Sequence, residues 1–243
     1  NQMEHMAMAN GHYPAKRAHK KGTEPENVAV GEFGGDTLIF INSERGNFTA
    51  VYKDTGGEPE FVQVLPTHVG PEGAVAIPNR DLFVVANEVG EDGVRAQVSF
   101  YEYGADAPSY PMVVSENDPE TGAPIGWGAL SGLAGDPADA SKVYAVSDSF
   151  YDKARIFTLD VSSKPAKILS YVNLHGTDTP KYDLEGISVA KAGGFWAVSE
   201  GHPKKEMQHF LLKVAADGTV EEEITPPAAL VAQAKRFSFE GVA

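Results

Sequence analysis

The sequence predicts an all-β protein of the β-propeller class, with four four-stranded blades and the start of a fifth. Three observations support this fold class. A two-strand unit flanked by acidic residues recurs along the 243-residue chain, two further strand-like runs follow each unit, and β-branched and aromatic residues fill the strands. Repeats of about 40–50 residues that are built from strands are typical of β-propellers.

Each recurring unit begins with a residue that we call the opener and ends with a carboxylate that we call the closing acid. Between them lie an apolar strand, a turn rich in Gly, Pro, Asn or Asp, and a second apolar strand, so the closing acid follows its opener by 15 to 18 residues. Such a hairpin corresponds to the inner half of a propeller blade. The openers are Glu26, Glu72, Ser131 and Glu185, and the closing acids are Glu44, Glu88, Asp148 and Glu200.

The remaining strand-like runs complete the predicted blades. FTAVYKD and EFVQVLP follow the first hairpin, AQVSFYEYG and YPMVVSE the second, ARIFTLDV and KILSYVNL the third, and HFLLKV and TVEEEI the fourth. The stretch from Pro226 to Phe237 has a helical pattern and is predicted to be a short connector. The predicted blades span residues 25–70, 71–125, 126–180 and 181–236, within one propeller domain that covers residues 25–243.

The two ends of the chain do not form complete blades. Residues 1–24 are polar and lack a regular pattern, so we expect an irregular segment there. Residues 237–243, FSFEGVA, contain a fifth opener, Glu240, and correspond to the first strand of a further blade. Because a lone strand would expose its edge and its apolar flank, we expect the chain to be a fragment of a six- or seven-bladed ring. Missing blades or another chain would complete that ring.

The composition excludes several classes of partner. The formal net charge of −14 argues against nucleic acid and against an anionic membrane surface, because both require basic patches. No run approaches the roughly 18 apolar residues of a membrane span. Cysteine is absent, which excludes a disulfide framework, a thiol nucleophile and a zinc-thiolate site.

The predicted fold gathers the acidic residues on one face. The first strand of a blade lines the central channel and the second pairs antiparallel beside it, so openers and closing acids lie at the same edge of the disc. We therefore expect Glu26, Glu72, Glu185 and Glu240 to converge on one channel mouth, with the closing acids in a ring outside them. The third strands bring several cations to this face: Arg45, Arg95, Arg155, His202, Lys204, Lys205 and His209.

Two known families resemble parts of this sequence. DLEGISVAKAGGFWAVSEG, the third hairpin unit with its following strand, and FEGVA are similar to the phytase-like propeller family, labelled esterase-like activity of phytase, from about Gly128 to Ala243. ENVAVGEFGGDTLIFINSERGNFTAVYKD and GPEGAVAIPNRDLFVVANE resemble a bacterial surface propeller family named for its choice-of-anchor tail. The resemblance implies a secreted, periplasmic or cell-surface bacterial protein that hydrolyses phosphoesters or esters, with calcium as in the related phytases. Ser131 departs from the Glu of the other openers.

Carboxylates that converge from several blades are suitable ligands for Ca²⁺, which takes six to eight oxygen ligands. The sequence thus predicts a metal site among Glu26, Glu44, Glu72, Glu88, Asp148, Glu185, Glu200 and Glu240. The catalytic candidates are Arg155, as a clamp for phosphate oxygens, with Glu185 and Glu200. Two alternatives stay open. The acids can serve the structure alone by accepting backbone hydrogen bonds and capping turns, and the propeller can be a non-catalytic extracellular module for binding or assembly. His202 and His209 are expected to be exposed or core histidines rather than ligands.

Overall fold

Strands dominate the structure, which confirms the all-β prediction. The computed structural model describes residues 2–90, 93, 95–104, 112–201, 207–231 and 241–242. Its strands form four sheets, in which all strand pairs are antiparallel except one parallel pair in the third sheet. The chain divides into two compact units, one with residues 1–8 and 12–110 and the other with residues 9–11 and 111–243.

The first unit contains two sheets, numbered 1 and 2. Sheet 1 is a four-stranded meander in the order β1-β2-β3-β4, and sheet 2 has three strands in the order β5-β6-β7. Helix α1 (Gln2–Ala9) precedes them. Sheet 1 consists of β1 (Pro25–Phe33), β2 (Asp36–Ser43), β3 (Phe48–Lys53) and β4 (Glu60–Pro66), and sheet 2 of β5 (Pro71–Ile77), β6 (Leu82–Asn87) and β7 (Gln97–Glu102).

Sheets 1 and 2 pack face to face through an aromatic core. The rings of Phe40 and Phe83 stack with centroids 4.0 Å apart, and Phe33 meets Phe40 edge-on at 5.8 Å. The first strands of the two sheets lie close together, because a Cβ on Gly31 would come within 2.7 Å of the Cβ of Ala76. This placement of first strand beside first strand is the packing expected of neighbouring propeller blades.

Part of the N-terminal segment is regular, where the sequence indicates an irregular one. Helix α1 buries Ala7 completely, and Met3 and Met6 pack with it against Phe48 of sheet 1. The helix covers the face of sheet 1 that points away from sheet 2. Its short length and mixed composition gave no clear helical periodicity, so tertiary packing determines this element.

The second unit contains sheets 3 and 4. Sheet 4 is a four-stranded meander in the order β13-β14-β15-β16, and sheet 3 has five strands in the order β8-β12-β11-β10-β9. The short helix α2 (Ala228–Val231) follows sheet 4. Sheet 3 consists of β8 (Val113–Ser115), β9 (Leu130–Gly135), β10 (Lys142–Ser147), β11 (Arg155–Asp160) and β12 (Ala166–Asn173), and sheet 4 of β13 (Leu184–Val189), β14 (Phe195–Ser199), β15 (Phe210–Val214) and β16 (Val220–Ile224).

Strand β8 corrects one prediction. The run YPMVVSE was expected to be the fourth strand of the second blade, yet Val113–Ser115 pairs parallel with β12 at the outer edge of sheet 3. Val113 also packs with Ile125 and Ile168 in the core of the second unit. A strand of only three residues can pair with any unpaired sheet edge, and here burial of Val113 against sheet 3 decides the partner. The described part of sheet 2 therefore has three strands, where a four-stranded blade was predicted.

Glycines bring the first strands of the second unit together. A Cβ on Gly132 of β9 would lie 2.9 Å from the Cα of Gly186 in β13, and a Cβ on Gly186 would lie 2.7 Å from the Cα of Gly241. Each of these glycines directly follows an opener, so the Gly of the motif permits the close approach of successive first strands. Gly241 therefore approaches Gly186 as closely as Gly186 approaches Gly132. The rest of the predicted fifth first strand lies outside the described residues.

No helix among the described residues is long and apolar enough to cross a membrane.

Candidate functional site

One backbone hydrogen bond recurs in all four sheets and brings the opener and the closing acid together. In each sheet the N–H of the closing acid donates to the carbonyl of the residue that lies two positions before the opener. The four hydrogen-bonding arrangements are therefore equivalent, although the side chains differ. The bonds are Glu44 to Glu24 (3.0 Å), Glu88 to Gly70 (2.8 Å), Asp148 to Ala129 (3.0 Å) and Glu200 to Asp183 (2.7 Å).

Every opener also lies at a break in strand register. The pairing of β1 with β2 shifts between Pro25 and Asn27, which makes Glu26 the unpaired extra residue, and the pairing of β13 with β14 shifts in the same way around Glu185. Similar shifts surround Glu72 and Ser131. A β-bulge turns a side chain away from the regular alternation of a strand, so it can direct the opener towards the edge of the sheet.

In the first unit, five carboxylates form two overlapping groups. Oxygens of Glu24, Glu26 and Glu44 lie within 4.8 Å of one another, and so do oxygens of Glu44, Glu72 and Glu88. Glu44 belongs to both groups, and it joins the hairpin of sheet 1 to that of sheet 2. Asn42 reinforces this junction, because its amide donates to the carbonyl of Glu72 at 3.1 Å. The structure thus brings together the four acids predicted in this unit.

Protein cations partly neutralise this cluster. Arg17 and Lys21 both form ion pairs with Glu24, which is only 5% exposed. Arg45 contacts Glu44 at 2.6 Å and Glu24 at 3.5 Å. Arg45, one of the cations predicted to lie on the same face as the acids, does lie beside them, and its guanidinium bridges the carboxylates of Glu24 and Glu44.

The two buried carboxylates of the first unit have opposite pKa shifts. The hydrogen bond from Lys21, with the charge of Arg17, lowers the pKa of Glu24 to about 2. Burial raises the pKa of Glu44, and the neighbouring charges of Glu24, Glu72 and Glu26 raise it further against the opposing effect of Arg45. The cluster therefore retains an excess of negative charge around Glu44, which a bound cation would relieve.

In the second unit, three carboxylates from consecutive sheets converge. Oxygens of Asp148, Asp183 and Glu185 lie within 4.8 Å of one another. Asp148 is the closing acid of sheet 3, whereas Asp183 and Glu185 introduce the first strand of sheet 4. The N–H of Ser149 donates to Asp183 at 2.9 Å and orients that carboxylate. Burial, together with a hydrogen bond to Asp148, raises the pKa of Asp183.

The other predicted residues have different surroundings. Glu200 is buried, and its N–H donates to the carbonyl of Asp183, but it does not belong to the group of three carboxylates. Ser131 donates its hydroxyl to the carbonyl of Leu184. His209 is buried, and its Nδ1 accepts a hydrogen bond from the N–H of Gly201 at 2.8 Å. Burial lowers its pKa. The positions that lie outside the described residues are Glu240, His202, Lys204 and Lys205.

Arg155, the predicted phosphate clamp, lies between two aromatic rings. Its guanidinium carbon is 4.1 Å from the ring centroid of Tyr151 and 4.3 Å from that of Tyr171. It also donates to the carbonyl of Gly126 at 3.1 Å and to Asn173 at 3.3 Å. These contacts hold the side chain against sheet 3 and use two of the five N–H groups of the guanidinium.

The sequence prediction missed two site residues, Glu24 and Asp183. Both lie two positions before an opener, in the motifs Glu-Pro-Glu and Asp-Leu-Glu. The equivalent positions of the other two sheets are Gly70 and Ala129, which have no carboxylate. An acid two residues before the opener was therefore the signal that could have identified them.

Comparisons with known families agree with the two predicted resemblances. Residues 125–243 match the model of the family described as phytase-like, esterase-like activity of phytase. Residues 2–57 match the model of the choice-of-anchor I domain. The second match ends before the hairpin of sheet 2, on which the predicted resemblance also rested. No curated protein sequence matches the chain.

Solved structures offer only distant likenesses. A luciferin-regenerating enzyme matches 86% of this chain and 67% of its own length, with 14% identity and a TM-score of 0.34. A gluconolactonase from Xanthomonas campestris matches 84% of this chain and 77% of its own length, with 13% identity and a TM-score of 0.33. Likenesses this weak carry no argument about function.

Proposed function

We propose that the chain is part of a secreted or surface-exposed bacterial hydrolase of the phytase-like type, which cleaves phosphoesters or esters with the help of a bound Ca²⁺ ion. The observation that carries the proposal is the convergence of Asp148, Asp183 and Glu185 within the segment that matches the phytase-like family. The two family models also support the extracellular location.

The donor set of these three residues fits Ca²⁺. Carboxylate oxygens are hard ligands, and three carboxylates can supply at most six of the six to eight oxygens that the ion takes. Positions would remain for substrate oxygens and water. The raised pKa of Asp183 supports the same assignment, because burial and the neighbouring Asp148 disfavour its charged form and a bound cation would offset both effects.

A Ca²⁺ ion at this position would attract the anionic group of a substrate and polarise the phosphoryl or carbonyl oxygen. The residues of the chain prepare the site for it. The bulge at β13 directs Glu185 out of the regular strand, and the N–H of Ser149 fixes the orientation of Asp183. Glu185 lies in β13, and Asp148 and Asp183 lie directly after β10 and directly before β13. The ends of strands in two consecutive sheets therefore set the separation of the ligands.

In the first unit we propose a mainly structural role for Glu24 and Glu44. Arg17, Lys21 and Arg45 provide there the positive charge that a metal ion would provide in the second unit. Of the predicted metal ligands in this unit, Glu26, Glu72 and Glu88 are then secondary candidates.

Calorimetric titration of the chain with CaCl₂ and a phosphatase assay with p-nitrophenyl phosphate test the proposal together. We expect Asp183→Asn and Glu185→Gln each to weaken Ca²⁺ binding at least tenfold and to remove Ca²⁺-dependent turnover. Glu221→Gln, on an exposed carboxylate of β16 that pairs with Lys213, is the matched control and should change neither.

Three results would contradict this assignment. Unchanged Ca²⁺ binding in both variants would exclude the site, and equal loss in Glu72→Gln would move it to the first unit. Ca²⁺ binding without cleavage of p-nitrophenyl phosphate or p-nitrophenyl acetate would favour the alternative function, a non-catalytic module for binding or assembly.

A further inference from the structure

As far as the structure describes the chain, sheet 2 has no counterpart of the outer strand that the other sheets possess. In sheets 1, 3 and 4 the third strand pairs on its outer side with a further strand, which is β4, β12 or β16. Among the described residues, β7 pairs only with β6. Within this part of the chain the outer side of β7 is therefore an unpaired edge, whereas the third strands of the other sheets are paired on both sides.

The backbone groups of this edge can be identified from the register. The N–H of Tyr103 donates to the backbone carbonyl of Asp81 at 2.7 Å, and the next pair of residues with the same pairing geometry is Tyr101 with Phe83. Hydrogen-bonded pairs alternate along an antiparallel ladder, so the odd-numbered residues of β7 point their N–H and C=O groups towards β6. Those of Val98, Phe100 and Glu102 consequently point outward, where a further strand can bind them.

A cavity lined by aromatic and charged side chains adjoins this edge. It has a volume of about 730 Å³ and lies between the face of sheet 1 and the outer part of sheet 2. Its floor includes the stacked rings of Phe40 and Phe83, and its outer part includes Phe61 of β4 and Phe100 of β7. Pockets that bind ligands commonly have volumes of about 300–1,000 Å³.

Large apolar side chains around the edge are left exposed. Phe100 is 67% exposed, Val98 is 53% exposed, and Val62 of the neighbouring β4 is 47% exposed. An exposed edge with apolar side chains favours association with another strand unless charges oppose it.

The charges around the edge of β7 and the rim of the cavity favour a basic partner. The charged residues that line it are Asp36, Lys53, Glu60 and Glu102, and Lys53 is already paired with Asp36 at 2.7 Å. Glu60 and Glu102 therefore leave a net negative charge. A second copy of this chain would bring the same two acids to the same edge, so repulsion opposes a symmetric dimer there.

We propose that the outer edge of β7 binds an extended peptide segment in which basic and apolar residues alternate, and that this segment becomes the fourth strand of sheet 2. Its backbone would bond to the outward groups of Val98, Phe100 and Glu102. Alternation directs one set of its side chains, the apolar set, into the aromatic cavity. The basic set then lies on the face that carries Phe100 and Glu102, where a Lys or Arg can pair with the carboxylate and contact the ring.

The test uses a synthetic eight-residue peptide of alternating Lys and Phe or Val, titrated calorimetrically into the full chain. Val98→Pro removes an outward N–H without removing a bond to β6, so the sheet stays folded while binding weakens at least tenfold. Glu102→Lys should weaken binding to a similar degree through charge alone. Val161→Ala, at an exposed position after β11, is the control and should bind as the parent protein does.

Amide hydrogen exchange on the free protein provides an independent test. We expect the amides of Val98 and Phe100 to exchange rapidly and to become at least a hundredfold slower when the Lys-containing peptide is bound. Slow exchange of both amides in the free protein would show that the chain already covers its own edge and would overturn the proposal. Equal affinity for the same peptide with Glu in place of Lys, or a dimer whose mass reverts to that of a monomer in Val98→Pro, would also overturn it.

Discussion

The substitution Gly132→Ala tests whether the motif glycines are required for the approach of successive first strands. A Cβ at this position would lie 2.9 Å from the Cα of Gly186, 3.0 Å from the carbonyl oxygen of Glu185 and 3.0 Å from Val146. Two of these neighbours are backbone atoms, which cannot rotate away as a side chain can. Overpacking of this kind costs about 1–3 kcal/mol of unfolding free energy.

The matched control is Gly135→Ala in the same strand, where an added Cβ meets nothing within 4 Å. A compatible Gly-to-Ala change restricts the unfolded chain and stabilises the fold by about 0.4–1 kcal/mol. This gain is common to both variants, so they should differ by the overpacking cost alone, about 1–3 kcal/mol in the free energy of unfolding, with Gly132→Ala the less stable.

Urea denaturation followed by tryptophan fluorescence measures this difference. Both tryptophans of the chain, Trp127 and Trp196, belong to the second unit, so the signal reports on the unit that contains the substitution. Gly132→Ala should also weaken Ca²⁺ binding, because the displaced strand carries Glu185. Equal stability of the two variants, within about 0.5 kcal/mol, would refute the packing argument.

Three further predictions concern other parts of the chain. The pKa of Glu24 falls from 4.5 to about 2 on folding, so its ion pairs stabilise the protein above pH 4.5 and are lost as the pH falls towards 2. Glu24→Gln should therefore lower the urea midpoint at pH 7 and leave it nearly unchanged at pH 2. Arg155→Lys keeps the charge but loses the stacking on Tyr151 and Tyr171. Thermal unfolding should therefore show a loss of roughly 1–2 kcal/mol in the free energy of unfolding, with an unchanged KM. A raised KM at full stability would instead support the role of Arg155 as a phosphate clamp. Ala7→Asp places a carboxylate in a fully buried position and should lower the free energy of unfolding by about 3 kcal/mol or more. Limited proteolysis should then cleave sheet 1 faster, and an unchanged rate would show that α1 does not stabilise that sheet.

Local sequence patterns predicted the hairpins and the closing acids well. Alternation and turn residues determine where a strand begins and ends, so the run FTAVYKD nearly coincides with β3 (Phe48–Lys53). They do not determine which edge a short strand joins, and for this reason β8 was assigned to the wrong sheet. The partner of Val113–Ser115 depends on burial against residues far away in the sequence.

The candidate site was predictable only in part, for a related reason. Glu26, Glu72 and Glu185 stand out in the sequence as recurring openers, but nothing local shows that each lies at a bulge, because a bulge is defined by the strand opposite. Glu24 and Asp183 were missed since the repeat comparison began at the opener. Their role becomes visible only when the backbone bonds from Glu44 and Glu200 identify that position as part of the repeat.

The clusters arise from the repeat itself, because in each unit the closing acid of one sheet meets the opener of the next. Glu44 meets Glu72 in this way, and Asp148 meets Glu185. Ser131 cannot contribute a carboxylate, but its hydroxyl holds the carbonyl of Leu184, the residue directly before Glu185. The uncharged opener of sheet 3 therefore positions the charged opener of sheet 4. A hydroxyl at this position adds no charge to the site and supplies a hydrogen bond to the next first strand. Asp148, Asp183 and Glu185 are therefore the three carboxylates that we propose as the ligand set of the second unit.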